Sequence, residues 1–271
     1  MPIYDPATTA GGSRQPFPGN QIPLVRFDPV AVAALSYYPI ANRAPSLTNA
    51  NNFVGSSANL LNRDIVVGRL DHQFRAADLF NARYYINNSG TNNNGTYGIP
   101  ASDPAGDLTD VRVQSMLAAH THIFRPNLVN ELRVTYLRRK FLDTRPGYGE
   151  NLAGKIGLTG VSDAAFPAFT IPGYASLGNS TAVYRFQTPI VDQQILDSLS
   201  WNRGKHAWKF GFEFREGAND EIRDRGSAGN FTITPLITDL PGVSGTGNAL
   251  ASFLLGEVSA ASVQEIGRAH V

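Results

Sequence analysis

The sequence predicts an all-β fold, an antiparallel up-and-down meander in which tight turns alternate with long loops. Three observations predict it. Apolar and polar residues alternate with a period of two in several segments, as they do where successive side chains of a strand point to opposite faces. These segments come in pairs joined by very short connections. The pairs are separated by long stretches rich in Gly, Asn and Pro.

Residues 1–62 are punctuated by Pro and Gly and are expected to be irregular, with a helical turn or two over residues 29–38. The first hairpin is expected over residues 65–87, turning at Arg75 to Asp78. In its second strand Phe80, Ala82, Tyr84 and Ile86 share one face, and Asn81, Arg83, Tyr85 and Asn87 the other. The second hairpin, residues 111–140, turns at Arg125-Pro126-Asn127; beyond the turn Leu132, Val134 and Tyr136 alternate with Glu131, Arg133 and Thr135. The third, residues 190–215, turns at Arg203-Gly204-Lys205. It shows the clearest stripe, with Trp208, Phe210, Phe212 and Phe214 opposite Lys209, Gly211, Glu213 and Arg215. Gly and Pro stand where turns need unusual dihedrals or can spare a donor. A further strand is expected at residues 230–234, and a short amphipathic helix within residues 247–256.

The loops decide the class. Residues 89–110 and 142–189 connect the hairpins, whereas compact soluble domains seldom carry structureless loops beyond about 15 residues. Tight turns on one side and long loops on the other are what a transmembrane barrel of the outer membrane requires. Residues 63–264 are therefore expected to be a partial segment of a large transmembrane outer-membrane β-barrel with long extracellular loops. About seven or eight strands of a large barrel cannot close on themselves. In this setting the aromatic stripes face lipid, and Arg83, Arg133, Lys209, Arg215, Asp71 and Glu213 face a wet lumen. A soluble antiparallel sandwich would instead turn the same stripes to an inner core.

Composition narrows the functions. The net charge is +1, from 23 Lys and Arg against 22 Asp and Glu, and no basic field for nucleic acid follows from it. With no cysteine there is no disulfide framework, thiolate nucleophile or Cys-ligated metal. No run approaches the ~18 apolar residues of a transmembrane helix. No basic-then-apolar export signal follows Met1, which for an exported barrel means either a truncated chain or a wrong reading. At the other end, Glu265-Ile266-Gly267-Arg268-Ala269-His270-Val271 is what one frame of a widely used short-read sequencing adapter encodes. Residues 265–271 are therefore expected to be a non-native tail.

Several stretches resemble the Oar-like TonB-dependent receptors of soil acidobacteria, a family with a carboxypeptidase-regulatory-like domain, a plug and a barrel. They are Phe17-Pro18-Gly19-Asn20-Gln21-Ile22-Pro23 with Arg26-Phe27-Asp28-Pro29, Arg69-Leu70-Asp71-His72-Gln73-Phe74 with Leu79-Phe80-Asn81-Ala82-Arg83-Tyr84, and His120-Thr121-His122-Ile123-Phe124-Arg125-Pro126-Asn127-Leu128-Val129-Asn130-Glu131. Arg203-Gly204-Lys205-His206 running into Lys209-Phe210-Gly211-Phe212-Glu213-Phe214-Arg215, and Ala251-Ser252-Phe253-Leu254-Leu255-Gly256, complete the ordered set. The resemblance implies an outer-membrane transport receptor that takes up a large solute, coupled to the TonB complex in the intact protein. A passive barrel or adhesin is the alternative, and a soluble carbohydrate-binding β-sandwich the second.

No catalytic, cofactor-binding or metal residues are assigned, and the solute-binding residues are unknown. There is no Gly-x-Ser-x-Gly elbow and no phosphate-cradling loop, so the chain is expected not to be an enzyme. His120 and His122, with Glu131 as a third ligand, have metal-like spacing but read better as polar lumen residues near a periplasmic turn. Asn219, Asp220, Glu221 and Asp224 carry oxygens suited to calcium but lack the spacing of a calcium loop, and read as a solvated extracellular loop.

Overall fold

A computed structural model describes residues 1–44, 51–178, 183–264 and 267–270. Parts of the irregular N-terminal segment (45–50), of the second long loop (179–182) and of the expected non-native tail (265, 266, 271) lie outside the described residues. The chain opens with 3-10 turns and one short helix, α1 (Pro29–Leu35), whose N-terminus is capped by Asp28 accepting a hydrogen bond from the amide of Ala31 at 2.8 Å. The wall follows: β1 (Asn59–Arg75), β2 (Asp78–Asn93), β3 (Asp107–Arg125) and β4 (Leu128–Thr144). After the short α2 (Leu152–Lys155) and β5 (Ala168–Thr170) come β6 (Val183–Arg203) and β7 (His206–Arg225). β8 (Asn230–Thr232), α3 (Ala249–Leu254), β9 (Ala260–Ser262) and β10 (Gly267–His270) end the chain. Among the described residues no helix is long and apolar enough to cross a membrane.

The wall is a seven-stranded antiparallel sheet in the order β1-β2-β3-β4-β6-β7-β10. Its three hairpins close through the residue pairs 76–77, 126–127 and 204–205, all at one end, called here the turn end. Gly204 takes φ +60°, a conformation side-chain-bearing residues resist, so a two-residue turn is available there. Every long connection lies at the opposite, loop end. The meander and its three hairpins are those expected from the alternation.

Three boundaries differ from expectation. The strands run further toward the loop end, with β2 reaching Asn93 and β3 starting at Asp107. Residues such as Asn87, Asn88, Ser89 and Gly90 keep their ladder bonds but have no apolar face to reveal it. The strand expected at 230–234 does form, as β8, but outside the wall. It pairs in parallel with β5 and antiparallel with β9 in a separate three-stranded sheet. And the backbone of β10, inside the expected tail, pairs with Arg223 to Asp220 of β7. An unpaired sheet edge presents donors and acceptors to any nearby chain, and such pairing makes little demand on sequence.

The hydrophobic core is not in the wall. It lies at the loop end, where α1, α2, α3, β5 and the long connections pack Leu152, Ile156, Phe166, Phe169, Ile171, Leu177, Ile233 and Phe253 together. These residues form a cap.

Candidate functional site

Register assigns every wall side chain to a face, because directly paired residues point the same way. One face carries Phe80, Ala82 and Tyr84 on β2, beside Ala118 and Met116 on β3, then Leu132, Val134 and Tyr136 on β4. It continues through Ile195, Leu199 and Trp201 on β6 to Phe214, Phe212, Phe210 and Trp208 on β7. Among the described residues nothing covers it: Phe212 is 64% exposed and Trp208 50%. A sandwich would bury this stripe under a second sheet.

The apolar band runs obliquely. Val66, Ile86, Gln114, Arg138, Val191 and Ala218 form one continuous row of paired residues. On β1 and β2 the band begins in that row, at Val66 and Ile86. On β3 and β4 it begins one step nearer the turns, at Met116 and Tyr136, and on β7 two steps nearer, at Phe214. At about 3.4 Å per residue and 4.8 Å per strand, four residues over five strand spacings give a slant of roughly 30°. A band level with a bilayer must slant across strands that tilt, and barrel strands tilt by about 35–45°. Along β1 the band covers Val66 to Phe74, close to the ~9–11 residues that a tilted strand needs to cross hydrocarbon. Strands of 16 to 21 residues therefore rise well above it at the loop end.

The opposite face carries the expected ionic residues. Asp71, Arg69 and Arg83 lie in register with Asn81 and Leu117, and Arg133, Glu131, Arg215, Glu213 and Lys209 follow across the sheet. Arg69 pairs with Asp71 at 2.7 Å and Arg133 with Glu131 at 2.5 Å, each along one strand. Arg215 reaches across strands to Asp192, and the Gln194 amide donates to Glu213 at 2.5 Å. Arg69, Arg133 and Arg215 thus each sit beside a carboxylate, as a wet interior with balanced charge requires.

Two sequence-based placements are corrected. His120 and His122 lie not on this ionic face but on the apolar one, in register with Phe80 and Asp78. Asp78 accepts from His122 Nδ1 at 2.6 Å and lies 3.2 Å from His120 Nε2, while the His122 ring packs on Phe124. Near the turns an imidazole sits at the band's lower margin, where amphipathic rings are tolerated. Glu131 faces the other way, so it cannot join them. Asn219, Asp220, Glu221 and Asp224 lie on β7 rather than in a loop. Alternation splits them between faces: Asn219 accepts from the Thr188 hydroxyl at 2.6 Å, whereas Asp224 is buried and accepts from Tyr148 at 3.3 Å. Among the described residues no group of three or more His, Cys, Asp or Glu is placed to hold a metal ion.

The cap is built from connections far apart in sequence. Ser102 donates to the carbonyl of Tyr37 at 2.7 Å, and Tyr97 to that of Ser176 at 2.9 Å. Phe169 meets Phe231 and Phe253 with centroids 5.4 and 5.3 Å apart. Arg14 donates to the carbonyls of Leu236, Ile237 and Asp239 at 2.8 to 3.0 Å, tying the N-terminal segment to the stretch after β8. Arg145 joins cap to wall. It donates to the carbonyls of Gly106 at 2.7 Å and Val183 at 3.2 Å, and lies 3.1 Å from Asp107 and 3.5 Å from Asp143. Asp143 stands above the apolar band; burial, reinforced by the neighbouring Asp107 carboxyl, pushes its carboxyl up to about 7 against the pull of Arg145. None of this interlocking was visible in the sequence, because Arg14, Ser102, Asp143 and Arg145 belong to no motif.

Residues 1–270 match the family model described as an outer membrane beta barrel domain. No curated protein and no solved structure matches the chain.

Proposed function

Because this chain belongs to the outer membrane β-barrel domain family, we propose that it forms wall and extracellular cap of a TonB-dependent receptor that takes up a large solute. It resides in the bacterial outer membrane, with its apolar face to lipid. One observation carries the transport reading: the long connections of the loop end converge on a single packed cap above a wall whose other face is lined by paired charges. That arrangement suits a gated, water-filled passage. The order of the blocks that resemble Oar-like receptors supports the same reading, with the TonB complex and a large solute as partners of the intact protein. In this reading the chain binds and conducts and is not an enzyme.

The cap's dense core favours one rival, a passive barrel or adhesin that uses the cap as a fixed surface. The test is solute accumulation by bacteria carrying or lacking the gene, with and without TonB. A ferric chelate, cobalamin and a malto-oligosaccharide are supplied separately. Gene-dependent accumulation of one of them that disappears without TonB is the expected result. Accumulation indifferent to TonB identifies a passive barrel. Loss of surface attachment with no change in accumulation identifies an adhesin.

A further inference from the structure

We propose that Arg112, Arg138 and Lys140 form a binding site on the lipid-facing side of the wall for the phosphorylated sugar headgroup of an outer-leaflet glycolipid. The inference rests on the barrel's orientation in the membrane and not on the transport reading. All three residues point the same way as Met116, Val134 and Tyr136. Arg112 pairs directly with Lys140, and Gln114 with Arg138, in the rows immediately above the apolar band. Tyr136 and Met116 mark the band's upper margin there, and the Tyr84 hydroxyl accepts from Gln114 at 2.9 Å.

Height, charge and shape each point to the same ligand. One and two steps above Tyr136, at about 6.8 Å per step along the strand, lie within or just beyond the headgroup layer. That layer extends about 5–8 Å past the hydrocarbon on each side. Like charges directly opposite on neighbouring strands destabilise a sheet, yet Arg112 and Lys140 are so placed. Among the described residues neither they nor Arg138 has an ion-pair partner. Asp110, at the lip of the same groove, makes no ion pair with them. On the ionic face Arg69, Arg133 and Arg215 each hold a carboxylate, while Arg83 and Lys209, unpaired among the described residues, stand apart from each other. What marks the lipid side is three unpaired cations gathered in one groove, which calls for an anion from outside the chain. Asn88, Gln114 and Asp110 complete a groove of about 520 Å³. A bound water occupies about 30 Å³, so the groove suits a sugar phosphate rather than a bare ion. Arginine presents paired donors to phosphate oxygens, and lysine adds a point charge. The acyl chains of such a lipid would run down the wall over Met116, Val134 and Phe80.

The test titrates the full chain in non-ionic detergent micelles with diphosphorylated lipid A, dephosphorylated lipid A and inorganic phosphate. Tight binding of the first, at least tenfold weaker binding of the second and none of the third at millimolar concentration are expected. The variant R112Q/R138Q/K140Q should bind phosphorylated lipid A as weakly as wild type binds the dephosphorylated form. R83Q/K209Q, on the ionic face, should bind like wild type. Circular dichroism establishes that each variant keeps its strands, and R112K/R138K should retain most of the affinity if charge is what matters. Equal binding of both lipids, or no loss in the triple variant, overturns the proposal. So does binding of inorganic phosphate as tight as that of lipid A, which would make the cluster a site for soluble anions.

Discussion

The wall and the cap use hydrophobic residues in opposite ways. In the wall, Phe210, Phe212, Phe214 and Trp208 stand outward with half or more of their surface exposed. In the cap, Phe166, Phe169, Ile171, Leu177, Ile233 and Phe253 are almost wholly buried. The same residue types thus face two solvents. The wall's apolar surface is matched to a bilayer and gains its stabilisation only there, whereas the cap buries its own surface as a water-soluble domain does. Backbone ladder bonds hold the wall together, and side-chain packing holds the cap. A perturbation should therefore act on one region or the other according to the medium.

The largest effect is expected from the medium. Without detergent or lipid the exposed band should drive the whole chain into aggregates, and analytical sedimentation should find no monomer. A soluble monomer in plain buffer would break the distinction outright. Next comes the cap: Phe169→Ala removes a ring wedged between Phe231 and Phe253 and should cost about 3–5 kcal/mol. Protease nicking of residues 145–178 should rise accordingly in micelles, with strand content unchanged. In the wall, Phe212→Arg should lower stability in vesicles by about 2–4 kcal/mol, the usual penalty for a cation near mid-bilayer. The same change on the ionic face, at Gly211, should cost far less. Equal losses would mean that the faces are wrongly assigned.

The smallest effect is in pH. The carboxyl of Asp143 is raised to about 7 in the folded protein, so the folded state holds its proton more tightly than the unfolded chain does. The stabilisation this brings is full below about 4, the ordinary carboxylate value, fades as pH rises through 7, and is absent above. Cap opening followed by hydrogen exchange near residues 106–107 and 143–145 should accelerate from pH 5 to 8. Asp143→Asn should flatten that profile.

The wall was legible in the sequence because its physics is local. A period of two survives in Phe80 to Asn87 and in Trp208 to Arg215, and two-residue turns leave Pro126 or Gly204 behind. Both faces of the ionic ladder followed from that alternation. His120 and His122 read as lumen residues in the sequence because they are polar, whereas their pairing with Phe80 and Asp78, visible only in the register, sets them on the apolar face. The cap was illegible for the converse reason. Its strands are three residues long, and their pairing joins Ala168 to Asn230 and Asn230 to Ser262 across long stretches of chain. Its core residues, Ala31, Ile171 and Phe253 among them, recur with no period. The site on the lipid side was hidden for a similar reason: Arg112 and Lys140 become neighbours only once β3 and β4 are aligned.

The edges of the wall carry a consequence for assembly. Among the described residues β1 pairs only with β2, and β10 covers only Asp220 to Arg223 of the outer edge of β7. β1 runs toward the turn end and β7 away from it, so β7 of one molecule can continue the ladder onto β1 of another in the same antiparallel sense. Such a joint is heterologous: each copy offers one edge and accepts the other, so copies add head to tail into rings or open ribbons. A slanted band fixes the stagger of each joint, because only one register keeps the lipid belt continuous across the seam. In micelles the copies should appear as a concentration-dependent series of masses in which each step is one chain.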